Sequence, residues 1–401
     1  MRPWTFGSAG QLIFGRDSVR EIAHELQKFK AQRVFLVTDA NLGRAGVTDR
    51  VLEAMKPSGV SVSLFDRVTP EPGIGLVREC IAEAKAARPC VVIGLGGGSN
   101  MDTAKLAALI LTHGGDPFDF VGELRVPGPL MPMICIPTTA GTGSEVSIAA
   151  VFTDTDNHMK LSCGSPYLRP AVAIVDSMLT VGCPARVTAD SGIDALTHAI
   201  EAYTAEHNDA FPLPSGERSM YQGKNPLADA MASECITLVG KYLRRAVRDG
   251  SDLEARDGMA LAATLGGLAF SNAGVALVHA MEYPVGGAVH VSHGAGNGLL
   301  LPYVMRYNLS LRVREFASIA GFLGASDVNA PEDVNANRAV EAVERLKADI
   351  GIPSRLRDLG VKETMLPNFA ERAFAIKRLM RVNPRHPQSA SELLEIYQAA
   401  F

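Results

Sequence analysis

The chain has 401 residues, 47% hydrophobic and 20% charged, with a formal net charge of −4; that is ordinary for a soluble globular protein with room for two cores. Such a charge gives no electrostatic reason to expect nucleic acid or an anionic membrane as partner. No run of about 18 apolar residues predicts a transmembrane helix either.

The N-terminal stretch MRPWTFGSAGQLIFG lacks a basic segment followed by an apolar signal core and passes directly into strand-like alternation. Six scattered cysteines (Cys80, Cys90, Cys135, Cys163, Cys183 and Cys235) form no CxxC pair, which fits a reducing, cytoplasmic location. Farther along, RVFLVTD (33–39), VSVSLFD (60–66), CVVIGLGG (90–97) and PMICIPTT (132–139) read as strands. Between them VTDRVLEAMK, GLVRECIAEAKAA and MDTAKLAALILTH carry apolar residues at helical spacing. Strand and helix in alternation predict βαβ units and a largely parallel sheet. VFTDTDNHMKLSCG (151–164) predicts a hairpin, and AVAIVD (171–176) a further buried strand.

From Arg186 onward the pattern becomes helical. VTADSGIDALTHAIEAYTA, PLADAMASECITLVGKYLRRAVR and LEARDGMALAATLGGLAFSNAGVALVHAME read as long helices. The expected organisation is an α/β domain over 1–184 and an all-α domain over 185–401, with Gly182 and Pro184 at the boundary. Residues 204–226, rich in proline and glycine, predict an extended loop, which at that length is more often functional or mobile than inert.

Two loops suit a nucleotide. The strand VVIGL ends in Gly96, Gly97, Gly98 and Ser99, followed by a helix expected to begin near Asn100 and to carry Asp102 and Lys105. Glycines admit a pyrophosphate close to the backbone, and N–H groups at a helix start favour its charge. Without the GxGxxG spacing, a tight structural turn is the competing reading. ICIPTTAGTGSEVS delivers Thr138, Thr139, Thr142, Ser144 and Ser147, a second wall for phosphate, ribose or carboxamide, or else a hydroxyl-capped turn. Asp39, ending the first of these strands, would accept from an adenosine ribose and repel a 2′-phosphate, favouring NAD over NADP; a helix N-cap is the alternative.

The metal signal lies later. Asp194 and His198, four apart, share one helix face. His279 and His293 sit on an apolar, small-residue background where an unpaired imidazole is costly to bury. One carboxylate and three imidazoles suit Fe²⁺ or Zn²⁺ better than Mg²⁺ or Ca²⁺. His290 competes with His293, which is better placed at the expected start of a helix. A cation there would polarise a substrate oxygen, and beside a nucleotide it implies hydride transfer between an alcohol and nicotinamide.

The motifs GGGSNMDTAK, IPTTAGTGSEVS, VTADSGIDALTHAIEAY and HAMEYPVGGAVHVSHGAGNGLLLPYVMRYN make the chain resemble the iron-containing (group III) alcohol dehydrogenases over nearly its whole length. The resemblance implies a Rossmann-like domain plus a helical domain, the dehydroquinate synthase-like fold, with the active site in the cleft between them. It implies Asp194, His198, His279 and His293 as ligands of Fe²⁺, Zn²⁺ being possible, and Lys160 beside the cofactor, where the residue alone reads as a solvated charge. Homo-oligomers are common in the family, and the substrate would be a small alcohol or aldehyde. Tyr283 departs from the pattern, standing where many members carry a histidine assigned to proton relay; a tyrosine there can hydrogen-bond substrate.

Tyr283, the long loop and the segments KNPLADAM and SNAGV also resemble the hydroxyacid–oxoacid transhydrogenase branch, although the chain is shorter between its two later histidines. That alternative needs a cation for the substrate carboxylate, from Arg218 or Lys224. A dehydroquinate-synthase-like lyase would need a cluster of lysines and arginines near the ligands, which those segments lack. A pure binding module gives no reason for an open metal site. The metal-free maleylacetate reductases alter ligand positions that this chain retains.

Overall fold

The computed structural model describes residues 2–157, 159–213 and 217–401; His158 in the expected hairpin and residues 214–216 of the expected loop lie outside them. The chain divides into two compact units, one Gly7–Cys183 and the other Pro184–Phe401 with the segment before Gly7.

The first unit is built on strands β1 (Gln11–Phe14), β2 (Arg33–Val37), β3 (Ser61–Phe65), β4 (Val91–Gly96), β6 (Met133–Pro137) and β9 (Val172–Val175). They form one sheet in the order β1-β9-β6-β4-β2-β3, with every pair parallel. Its helices are α1 (Ile22–Lys28), α2 (Ala40–Arg44), α3 (Val47–Met55), α4 (Ile74–Ala87) and α5 (Gly98–His113). Alternate side chains serve opposite faces. Val34, Leu36, Ile93 and Ile134 pack with Ile22, Leu26, Val51 and Met55, whereas Phe35, Val37, Val92 and Cys135 pack with Val77, Ile81, Met101 and Leu109. Both faces are therefore covered by helices, which explains the unbroken apolar runs in the central strands. The Rossmann-like expectation holds.

A second, three-stranded sheet runs in the order β5 (Gly122–Glu123), β8 (Met159–Gly164), β7 (Ala149–Asp154). β7 and β8 are the expected hairpin, with Thr153 opposite Lys160. β5 has only two residues and left no periodic signal in the sequence. The chain leaves β2 for β3 on one side and returns with β4 on the other, so the order reverses between β2 and β4. Parallel sheets bind ligands outside the strand carboxyl ends at such a point.

The other unit is mostly helical. Its first helices are α6 (Ala185–Thr204), α7 (Pro226–Arg248), α8 (Leu253–Ala273), α9 (Leu277–Val289) and α10 (His293–Asn308). The expected continuous helix over 253–282 is in fact two, α8 and α9, bent by 107° at the break. Gly274 makes the corner with φ +129°, a conformation L side chains rarely adopt. No single helix among the described residues is long and apolar enough to cross a membrane.

The described part of 204–226 is pinned rather than loose. Asn208 N–H donates to Lys224 O at 3.2 Å, Lys224 N–H to Glu206 O at 2.8 Å, and Gly223 N–H to Ala273 O at 3.0 Å. Phe211, Met220 and Tyr221 are buried.

Candidate metal centre and nucleotide cradle

At the carboxyl end of β4 the chain must turn sharply into α5, and glycine permits it. Gly96 has φ +140°, and a Cβ there would lie 1.9 Å from Asn100 Nδ2; one on Gly98 would lie 2.9 Å from Thr142 Cγ2. The helix begins at Gly98, two residues before the position expected from sequence, so Gly98 and Ser99 belong to its first turn. Their N–H groups come before the i→i−4 ladder. Asp39 caps α2, accepting from Asn41 N at 2.9 Å and Leu42 N at 3.3 Å. Its second oxygen accepts from Asn100 Nδ2 at 2.8 Å, tying the ends of β2 and β4 together at the switch point.

The loop after β6 is held by groups buried beneath it. Thr138 N–H donates to Gly96 O at 3.0 Å. Asp102 accepts from Ser144 Oγ at 2.6 Å and from Val151 N at 3.0 Å. Lys105, fully buried, donates to Ser147 Oγ, Ser147 O and Ala149 O at 3.0, 3.2 and 2.9 Å; burial pushes its pKa down. Asp102 and Ser147 thus spend polar atoms on the architecture of the loop, while Thr139 and Thr142 remain beside the glycines. Lys160, also buried, pairs with Glu71 at 2.8 Å.

In the helical unit three of the four expected ligands come together directly. Donor atoms of Asp194, His198 and His279 lie within 4.8 Å of one another, and all three residues are buried. His198 Nε2 and His279 Nε2 each stand 4.0 Å from Asp194 Oδ1. His293 lies alongside, its ring centroid 5.3 Å from that of His279. Tyr283 packs on His293 at 6.0 Å. His290 is exposed and ends α9 in a left-handed conformation.

Two buried carboxylates, not foreseen from the sequence, orient the imidazoles. Glu201 takes a hydrogen bond from His279 Nδ1 at 2.6 Å, and Glu282 takes one from His293 Nδ1. With each Nδ1–H committed, the Nε2 lone pairs are left for the centre, the usual arrangement behind a metal-binding histidine. His198 has no such partner among the described residues, and its Nδ1 is buried without one. Stacking holds it instead, at 4.3 Å on Phe270 and 4.8 Å on His279. Burial, together with the neighbouring imidazoles and against the pull of Asp194, depresses the His198 pKa to about 4, so it stays neutral. Burial opposes the charge on Asp194, but the three imidazoles and Asn297 outweigh it and hold its pKa below the usual carboxylate range. The donor set, one carboxylate oxygen and three imidazole nitrogens, therefore fits a divalent cation of borderline softness.

Missing side chains make this proximity possible. A Cβ on Gly294 would fall 1.9 Å from Asp190 O, and one on Gly298 2.7 Å from Ile193 side-chain carbons. The start of α10 therefore lies directly on α6, bringing His293 to Asp194.

Comparison with known proteins decides the family. The profile for iron-containing alcohol dehydrogenases matches residues 9–177, and that for the C-terminal part of the Fe-containing alcohol dehydrogenase family matches residues 217–401. The chain is 37% identical to 1,3-propanediol dehydrogenase of Klebsiella pneumoniae, over 97% of this chain and 96% of that one. It belongs to the iron-containing alcohol dehydrogenase family.

The NAD-dependent methanol dehydrogenase of Bacillus methanolicus is 36% identical to this chain, over 90% of this chain and 91% of the relative. A crystal structure of 1,3-propanediol oxidoreductase superposes with a TM-score of 0.92 at 36% identity, covering all of both chains. The cation sought for a hydroxyacid substrate is only half available in this family member. Lys224 is buried 3.4 Å from both Asp229 and Glu315, leaving Arg218 exposed. Sequence reasoning also passed over Asn100, Phe270 and Asn297. Glu201 carried the one usable signal, falling seven residues after Asp194 and three after His198, on the same helix face.

Proposed function

We propose that this protein is an NAD-dependent, Fe²⁺-dependent alcohol dehydrogenase and aldehyde reductase for small primary alcohols, diols or aldehydes, with Zn²⁺ the alternative ion. The observation that carries the reading is the convergence of Asp194, His198 and His279 within 4.8 Å, with His293 adjoining them. A cation held by these four residues would act as a Lewis acid on the substrate oxygen and lower the pKa of an alcohol. Asp194 contributes the anionic oxygen. Glu201 and Glu282 fix the ring planes and tautomers of His279 and His293, so that neither imidazole needs reorganising. Tyr283, beside His293, hydrogen-bonds the substrate.

Bound NAD would supply the hydride acceptor. Gly96, Gly97, Gly98 and Ser99 take its pyrophosphate on backbone N–H groups at the start of α5, and Thr138, Thr139 and Thr142 hold neighbouring oxygens. Asp102 and Ser147 keep that loop in place through Val151 and Lys105. Lys160 serves the cofactor from β8, and Asp39 selects against a 2′-phosphate. The name of the NAD-dependent methanol dehydrogenase relative supports this cofactor. All six cysteines are free, which suits a reducing cytoplasm, and a homo-oligomer is part of the proposal on family grounds.

Stripping the protein with a chelator should stop NAD-coupled oxidation of small diols, and Fe²⁺ should restore it. Undiminished turnover by metal-free protein would overturn the reading. An NADH-coupled screen of aldehydes, diols and hydroxyacids on the iron-reconstituted protein then separates the substrate classes.

A further inference from the structure

Asn297 is fully buried, four residues after His293 on α10. Its Nδ2 lies 2.8 Å from Asp194 Oδ1, 3.2 Å from His279 Nε2 and 3.2 Å from His293 Nε2. These are three of the four atoms assigned above to the cation. The orientation of the amide follows from its surroundings. Glu201 and Glu282 draw the Nδ1 protons of the two imidazoles, leaving each Nε2 a bare lone pair beside an anionic carboxylate. A carbonyl oxygen turned toward three acceptors would be repelled, so the NH₂ end must face them. The cost is visible at the other end, where Oδ1 is buried without a partner among the described residues, a penalty that water or a donor would ordinarily relieve.

We propose that Asn297 is a positioning residue that competes with the cation, a placeholder whose amide gathers Asp194, His279 and His293 while the metal is away. Two hydrogens serve three acceptors, so the arrangement is adequate but oversubscribed. A cation satisfies the same lone pairs more fully, and the amide then keeps at most its bond to Asp194. Asn297 thereby stabilises the metal-free protein more than the loaded one and sets how readily the ion is gained and released. This inference rests on the metal-centre reading proposed above.

The test uses the full chain stripped with a chelator and titrated with Co²⁺, whose ligand-field absorption reports binding directly. Deleting the amide in Asn297→Ala should lower the melting temperature of stripped protein more than that of Co²⁺-loaded protein. It should also tighten Co²⁺ binding by roughly tenfold, equivalent to one neutral hydrogen bond, the amide hydrogen shared by the two imidazoles, lost from one state only. Asn297→Ser, which retains one hydroxyl donor, should fall between the two and guards against a misfolded alanine variant. Weakened or unchanged Co²⁺ affinity, with equal melting losses in both states, would overturn the placeholder and leave Asn297 a packing residue. Wild-type protein that takes up no Co²⁺ would overturn the metal centre itself, an outcome separate from any difference between variants.

Discussion

In the Gly7–Cys183 unit the chain would offer a bound nucleotide its backbone. The turn after β4 works because side chains are absent, and the polar residues around it, Asp39, Asn100, Asp102 and Lys105, are engaged in holding strand ends and loop in place. In the helical unit the chain offers side chains, and the glycines at 294 and 298 serve only to let two helices approach. A backbone cradle should tolerate side-chain truncation but not an added Cβ. A side-chain pocket should fail when any donor, or the carboxylate behind it, is removed.

The largest expected effect is in the pocket. His279→Ala should abolish metal retention and lower turnover by about three orders of magnitude, with NAD affinity unchanged in a calorimetric titration; normal turnover would exclude His279 as a ligand. Next comes Glu201→Gln, which removes the acceptor behind His279. Metal affinity should fall about 10–100-fold, measured by competition with a chromogenic chelator, and an unaltered affinity would mean that the ring needs no support. In the cradle, Gly98→Ala pushes a methyl into Thr142 and should cost about 1–3 kcal/mol of NAD binding, whereas Ser99→Ala should leave affinity within about twofold. Equal losses from the two substitutions would show that the cradle is not built from backbone. The smallest effect is expected from Asp39→Gly. It should raise NADP use relative to NAD in steady-state kinetics, at a cost of a few tenths of a kcal/mol from the lost cap; unchanged selectivity would reduce Asp39 to that cap.

The two regions were not equally readable from sequence. The βαβ pattern, the glycine turn and the Asp194/His198 pair all depend on short spacings, and those survive into the fold. The residues that finish each site depend on contacts between distant segments. Glu201 shares a helix face with Asp194 and His198, but what it holds is fixed only when Ala276, Val278 and His279 arrive from 75 to 78 positions away. Asn297 reads as a helix-interior amide, although its partner Asp194 stands 103 residues earlier. The corner at Gly274 was hidden because alanine, glycine and valine continue the apolar pattern straight through it. Helix α5 begins two residues early because the glycine turn supplies its first turn, where periodicity has nothing to register.

That corner gives Glu201 a second duty. Its carboxylate accepts from Ala276 N at 2.9 Å and Val278 N at 2.6 Å, donors that open α9, while also holding His279. One side chain therefore seals the start of a helix and aims the His279 imidazole. A chain whose corner has not yet formed has no oriented His279 to offer, so under the proposed metal-centre reading ion capture would be a checkpoint passed only by molecules already folded at that bend.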